Sequence, residues 1–313
     1  MAEVDQPKDD NPMAFGAWAG VDMPAGIERA VAVSANRIRR DVINMLEVAG
    51  SGHPGGSLSS ADILATLFFS GAMRYDRDVP ADRSGDRFLL SKGHAAPALY
   101  AVYHQLGWID DDELASLRRV GSRLQGHPDA KFLPAVEACS GSLGQGLAIG
   151  CGLALGLRVA DSRAEDESLR RVYVLCGDGE MQEGSNWEAL MLAAHLRLDN
   201  MTMLLDLNGL QIDGTTSEVC SLGDVSKKLC SFGWAVTEVD GHDVAELIDA
   251  LEWAKGVNGM PQAIVCHTVK GKGVSFMEGE RGWHGKAPSH DEAEAARREL
   301  DEELARLLQG GAK

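Results

Sequence analysis

Between residues 172 and 268 the sequence alternates short apolar runs with longer amphipathic ones. VYVLC (172–176), MTMLLDL (201–207), WAVTEV (234–239) and QAIVCHT (262–268) have the length and residue types of strands. Between them lie WEALMLAAHLRL (187–198), DVSKKLCSFG (224–233) and VAELIDALEWAK (244–255), which carry helical spacing. Strands that are apolar throughout need cover on both faces, and a helix after each strand supplies it. The pattern therefore predicts an α/β fold: a doubly wound, mostly parallel sheet with helices on both faces.

The flanks fit that frame. Ile27, Val31, Ile38, Val42, Met45 and Leu46 recur at threes and fours, predicting a helix that ends where glycines cluster in AGSGHPGG. A second helix is expected in SSADILATLFFSGAM, with serine and aspartate available as caps. RFLLS reads as a strand running into a Ser-Lys-Gly-His turn, followed by the helix AAPALYAVYHQLG. LAIGCGLALGLRVA is apolar nearly all round and predicts a buried helix, its glycines admitting a close neighbour. Residues 1–25 read as a polar extension, 26–290 as the main domain, and 291–313 as a charged amphipathic helix.

Composition narrows the partners. A formal charge of −17 disfavours nucleic acid and anionic membranes, which it would repel. The N-terminus lacks a basic start followed by an apolar run, and no uncharged apolar stretch reaches the ~18 residues of a membrane span, so a cytoplasmic location is expected. The six cysteines form no CxxC pair. Most fall in apolar stretches and are expected to be buried free thiols rather than disulfides or zinc ligands.

The chemistry centres on VLCGDGEMQEGSNWE. Asp178 lies at a strand's carboxyl end between Gly177 and Gly179, where open α/β sheets place ligands and where bare backbone can approach an anion. Asn208 closes the next strand, thirty residues on. One helix and one strand fit that interval, so consecutive parallel strands would set Asp178 beside Asn208. A carboxylate and an amide oxygen are hard donors. They suit Mg²⁺ or Ca²⁺ with phosphate oxygens completing the shell, and suit zinc poorly.

Gly-Asp-Gly followed by Asn at this distance resembles the thiamine diphosphate (ThDP) motif, and the surrounding segments narrow the resemblance to transketolases. SGHPGGS, RFLLSKGHAAPALY, GHP, SGSLGQGL, GDGEMQEGSNWE, NGLQIDG and HGKAP follow one another in that family's order, from about residue 30 to 290. The resemblance implies a ThDP fold whose diphosphate-binding domain holds Mg²⁺ (Ca²⁺ or Mn²⁺ can substitute) through Asp178, Asn208 and the carbonyl of Leu210. The Gly179 N–H would meet a phosphate oxygen beside Gly177. His94 and His284 would lie near the diphosphate, and His53 and His127 around the reacting carbons. Gly141 and Leu143 would face the aminopyrimidine and Ile212 the thiazolium, while Glu183 and Glu188 would approach a subunit interface. Of these, His53, His127, His284 and Glu183 are the catalytic candidates. Ser142, where many single-chain members have proline, and Gly56-Ser57, where they have alanine-proline, depart from the pattern and affect the substrate channel.

The resemblance spans only the family's N-terminal half. It implies the N-terminal subunit of a two-chain transketolase, moving a two-carbon ketol unit from a ketose (phosphate) to an aldose (phosphate). The partner would be a C-terminal subunit carrying the pyrimidine-binding domain and the glutamate that activates the cofactor. Copies would also self-associate, giving a heterotetramer that is inactive without its partner. Two rival readings remain: an E1-like subunit of a 2-oxoacid dehydrogenase, which the histidine motifs disfavour, and a non-catalytic ThDP-binding regulatory remnant, which the intact histidine set disfavours.

Overall fold

The structure, a computed structural model, describes residues 26–162 and 169–309. The expected extension at 1–25 lies outside them. Along the chain come α1 (Ile27–Ala49), α2 (Pro54–Ser59), α3 (Ala61–Phe69), β1 (Arg87–Leu90), α4 (Ala96–Gln105), α5 (Asp111–Leu114) and α6 (Gly146–Asp161). There follow β2 (Val172–Gly177), α7 (Gly184–His195), β3 (Met201–Leu207), the short strands β4 (Leu210–Gln211) and β5 (Gly214–Thr215), α8 (Thr216–Cys220) and α9 (Val225–Ser231). β6 (Ala235–Asp240), α10 (Val244–Gly256), β7 (Gln262–His267) and α11 (His290–Gln309) complete the described chain.

Five strands form one parallel sheet in the order β1-β2-β3-β7-β6. Alternate residues of each strand feed opposite cores. Phe88, Leu90, Tyr173, Leu175, Leu204 and Ile264 meet the layer of α1, α3, α4, α10 and α11. Leu89, Val174, Cys176, Met203, Leu205 and Val265 meet α6, α7 and α9 on the other face. The sheet is thus parallel and covered on both sides, as the apolar strands required. No described helix is long and apolar enough to cross a membrane.

Three local expectations change, while α1 ends at Ala49 with Gly50 in the left-handed region, as the glycine cluster predicts; Pro54 then opens α2, with Gly55 and Gly56 inside it. A Cβ on Gly56 would stand 3.1 Å from His94 Nε2, so this glycine serves close approach to a histidine. Ser60 and Asp62 do not cap α3. Ser60 donates to Gly56 O and Asp206, and Asp62 pairs with Arg39 and His242. Helix α6 is buried on one face only: Gly150 packs on Val174, whereas Ile149 and Val159 are exposed and Gly152 and Gly156 face open space. Finally, Cys151, Cys176 and Cys266 are buried but Cys139, Cys220 and Cys230 are exposed, so half of the thiols, not most, lie in the core.

Candidate functional site

The register of β2 and β3 sets Gly177 opposite Asp206 and leaves Asp178 and Asn208 at adjoining strand tips. Asp178 is 2% exposed, and its carboxylate accepts the N–H groups of Gly179 (2.8 Å) and Gly209 (2.6 Å). Burial, and then the charge of Asp206, push its carboxyl up to about 6. Asn208 donates from Nδ2 to Asp206 at 3.4 Å, while its Oδ1 accepts the Leu210 N–H at 3.2 Å. A carboxylate only accepts, so this contact fixes which end of the amide carries oxygen. The Leu210 carbonyl accepts from Lys270 Nζ at 3.1 Å and keeps a second lone pair. Gly179 spends its N–H on Asp178, so a phosphate would have to share that donor.

These three oxygens are one carboxylate, one amide and one carbonyl. Among the described residues no three His, Cys, Asp or Glu side chains gather to hold a metal by themselves. An ion bound here would take its remaining ligands from outside the chain. The donor set fits a hard divalent cation bridging to phosphate oxygens.

Three of the four singled-out histidines converge. His94 stacks on His284 with ring centroids 5.2 Å apart, and His53 meets their edges at 5.4 and 5.5 Å. Burial lowers all three, helped by neighbouring cations: His53 to about 4 beside Arg118, His284 to about 3 beside Lys270, and His94 well below its ordinary value beside Lys92. They are therefore neutral at pH 7, each able to donate one N–H and accept at the other nitrogen. Lys270 Nζ lies 2.9 Å from His284 Nδ1 and donates to it, which leaves the His284 proton on Nε2. Burial, and then Lys92, lower the Lys270 ammonium to about 8.

His127 stands apart, on the wall. It packs against Gly141, whose φ of +145° and missing Cβ, which would lie 3.0 Å from the ring, both require glycine. Burial, and then Arg118, lower its value too. Leu143 is half-buried near this loop, whereas Ile212 is 64% exposed on the β4–β5 turn. Glu183 and Glu188 are exposed at the start of α7, outside the histidine cluster. His104, bridging Asp41 and Asp111, and His267, beside Glu238, make surface pairs away from the site.

Five site residues carried no role in the sequence reading. Lys92, 1% exposed, donates to Gly56 O (3.0 Å), Ser60 Oγ (2.9 Å) and Asp206. Asp206 also accepts from Ser59 and Thr268; burial opposes its charge, but Lys92 and these hydroxyls outweigh that and hold it below the usual carboxylate range. Its signal was an acid in an otherwise apolar strand. Lys270 was hidden in KGKG. Glu180 follows Gly179 and is buried. Arg118 has φ +60°, and its guanidinium reaches Ser51 Oγ at 3.4 Å and His53 Nδ1 at 3.5 Å. A Cβ on Gly126 would lie 3.0 Å from Arg118 Nε, which accounts for the glycine of GHP.

Comparison with known proteins gives a consistent picture. A family model described as "Transketolase, thiamine diphosphate binding domain" matches residues 30–306. The chain is 41% identical to the human transketolase over 87% of its own length, spanning 42% of that protein. It is 37% identical to an apulose-4-phosphate transketolase subunit from Phocaeicola vulgatus, covering 88% of this chain and 95% of that protein. It is 39% identical to a 6-deoxy-6-sulfo-D-fructose transketolase subunit from a Clostridium species, covering 87% and 96%. Among solved structures, the transketolase of Campylobacter jejuni superposes with a TM-score of 0.79 at 30% identity, over 91% of this chain and 46% of that one. The chain thus spans about two fifths of the full-length transketolases it matches.

Proposed function

The chain belongs to the transketolase family, and on that premise we propose that it is the ThDP-binding subunit of a two-chain transketolase. With a pyrimidine-domain partner it transfers a two-carbon ketol unit from a ketose to an aldose. What supports the two-chain reading is coverage: two relatives named as transketolase subunits are matched over 95% and 96% of their length, against 42% for the human enzyme. One is named for a phosphorylated ketose and the other for a sulfonated one, so substrates with an anionic tail are the expected class.

Asp178, Asn208 and the Leu210 carbonyl would hold Mg²⁺, which would neutralise and anchor the diphosphate. Bound ThDP supplies the carbon nucleophile and electron sink that ketol transfer needs. The chain's own groups bind and orient. His94 and His284 offer neutral N–H donors to an anion, and the Lys270 ammonium adds charge beside His284. Arg118 contacts His53 Nδ1, leaving the His53 proton on Nε2, where it can donate to a substrate oxygen. His127 is exposed on the adjoining wall and can exchange protons with substrate hydroxyls.

The exposed apolar face supports an assembly. Glu188, Met191, Leu192 and His195 follow helical spacing on α7 and all face solvent, and α6, which packs against α7, exposes Ile149 and Val159. We assign this face to contact with a second copy, with Glu183 and Glu188 at its edge.

The test is reconstitution. Assayed by itself, the chain should show no ketol transfer; with a pyrimidine-domain partner it should transfer ketol units between an anionic ketose and an aldose. Turnover by the chain without a partner, or decarboxylation of 2-oxoacids in place of ketol transfer, would overturn the assignment.

A further inference from the structure

Glu180 is 2% exposed, one residue beyond the Gly-Asp-Gly turn. No ion pair to it is present among the described residues. Its carboxylate is used as an acceptor instead. Oε1 accepts the Ser91 hydroxyl and the Gly144 N–H at 3.0 Å, and Oε2 accepts the Gly177 N–H at 3.1 Å. Its own carbonyl accepts Asn186 Nδ2 at 2.7 Å, which fixes the backbone from which the side chain projects.

The three donors come from three segments: the carboxyl ends of the paired strands β1 and β2, and the loop before α6, which no strand pairing ties to them. Ser91 ends β1 and leads directly into Lys92-Gly93-His94. Gly144 follows Gly141-Ser142-Leu143. Gly177 ends β2 and leads into Asp178-Gly179. Each donor thus stands within three residues of a group assigned to the cofactor. Gly144 is gripped from both sides, since its carbonyl accepts Ser185 Oγ at 2.9 Å. The packing leaves no slack: a Cβ on Gly146 would lie 2.4 Å from Ser91 Oγ, and one on Gly93 would lie 2.7 Å from the Gly141 nitrogen.

Burying a carboxylate without a paired cation is unfavourable, and here three donors from three segments hold it in place. The arrangement is explained if the rigid two-oxygen fork is what matters. We propose that Glu180 is a positioning residue for ThDP, a single carboxylate that locks the three cofactor-facing loops in register. It touches neither cofactor nor metal in this scheme; it sets where His94, Leu143 and Asp178 stand. The proposal rests on the ThDP reading of the preceding subsection.

Glu180→Gln is the informative change. Each carboxylate oxygen accepts a backbone N–H, so the amide must aim its NH₂ at one of them in either orientation. Ser91→Ala is the milder second variant, removing one donor and leaving both backbone contacts. The measurements are the ThDP dissociation constant in the presence of Mg²⁺, by calorimetry on the chain complexed with its partner, and the melting temperature of the cofactor-free chain. Glu180→Gln should weaken ThDP about tenfold or more, the usual effect of losing an outer-shell support, and Ser91→Ala by roughly two- to threefold. Should Glu180→Gln fail to fold, Ser91→Ala decides by itself. An unchanged dissociation constant in a folded variant, with or without a lower melting temperature, makes Glu180 merely structural and overturns the proposal. Failure of the unaltered complex to bind ThDP overturns the functional reading instead, and the proposal with it.

Discussion

Asp178 shows how much one buried carboxylate can constrain. Burial and Asp206 both oppose its charge and bring it up to about 6, so a bound cation would relieve a strain the fold has already imposed. Protons and metal then compete for it, and Mg²⁺-dependent ThDP binding should weaken about tenfold per pH unit below 6 in a calorimetric titration. Asp178→Asn should weaken that binding roughly tenfold or more at neutral pH while leaving the fold intact by circular dichroism. The histidines give a second pH signature. His53 and His284 bind protons at about 4 and 3 in the folded chain, below the ~6.5 of an unfolded one. The unfolded chain therefore takes up protons first, so stability to denaturant should fall as pH drops from about 6.5 towards 3, with no further loss from these groups below that. Lys92→Met would strand the Asp206 charge in the core and should cost roughly 3–5 kcal/mol in denaturant unfolding. Asp178 and Asn208 were legible because their spacing matches one helix plus one strand. Lys92, Asp206 and Glu180 were not assigned, because a charged residue's burial depends on partners up to 147 residues away in sequence.

At the scale of elements, continuous apolar strands and amphipathic helices were readable, since each element's pattern states which faces need cover. The errors lie where tertiary contact overrides local preference. Gly55 and Gly56 read as part of a helix-ending cluster but lie inside α2, where Lys270 and His94 approach so closely that a side chain would be crowded. Helix α6 reads as buried all round, yet its outer face is left uncovered by the described residues. That face and Met191, 55% exposed on α7, make a surface that apolar contact should close. Met191→Glu would bury a charge there, at a cost on the order of several kcal/mol. It should lower the mass of the assembly by light scattering with helix content unchanged; an unaltered mass would move the interface elsewhere.

For the molecule as a whole, a net charge of −17 surrounds a site where Lys92, Lys270 and Arg118 offset the buried carboxylates of Asp178, Glu180 and Asp206 beside uncharged histidines. That contrast suits an anionic cofactor held by specific donors rather than by the general field. The seven ordered motifs scatter over 238 residues, from Ser51 to Pro288, yet several of them meet at the carboxyl ends of β1, β2 and β3. No local pattern announces that meeting; the parallel topology produces it. The most direct test is a crystal structure of the chain with ThDP and Mn²⁺ in place of Mg²⁺, located by anomalous scattering. An anomalous peak about 2.1–2.3 Å from Asp178, Asn208 and the Leu210 carbonyl, with the diphosphate facing His94 and His284, is the predicted result. Manganese bound elsewhere, or cofactor seated away from those strand tips, would contradict it.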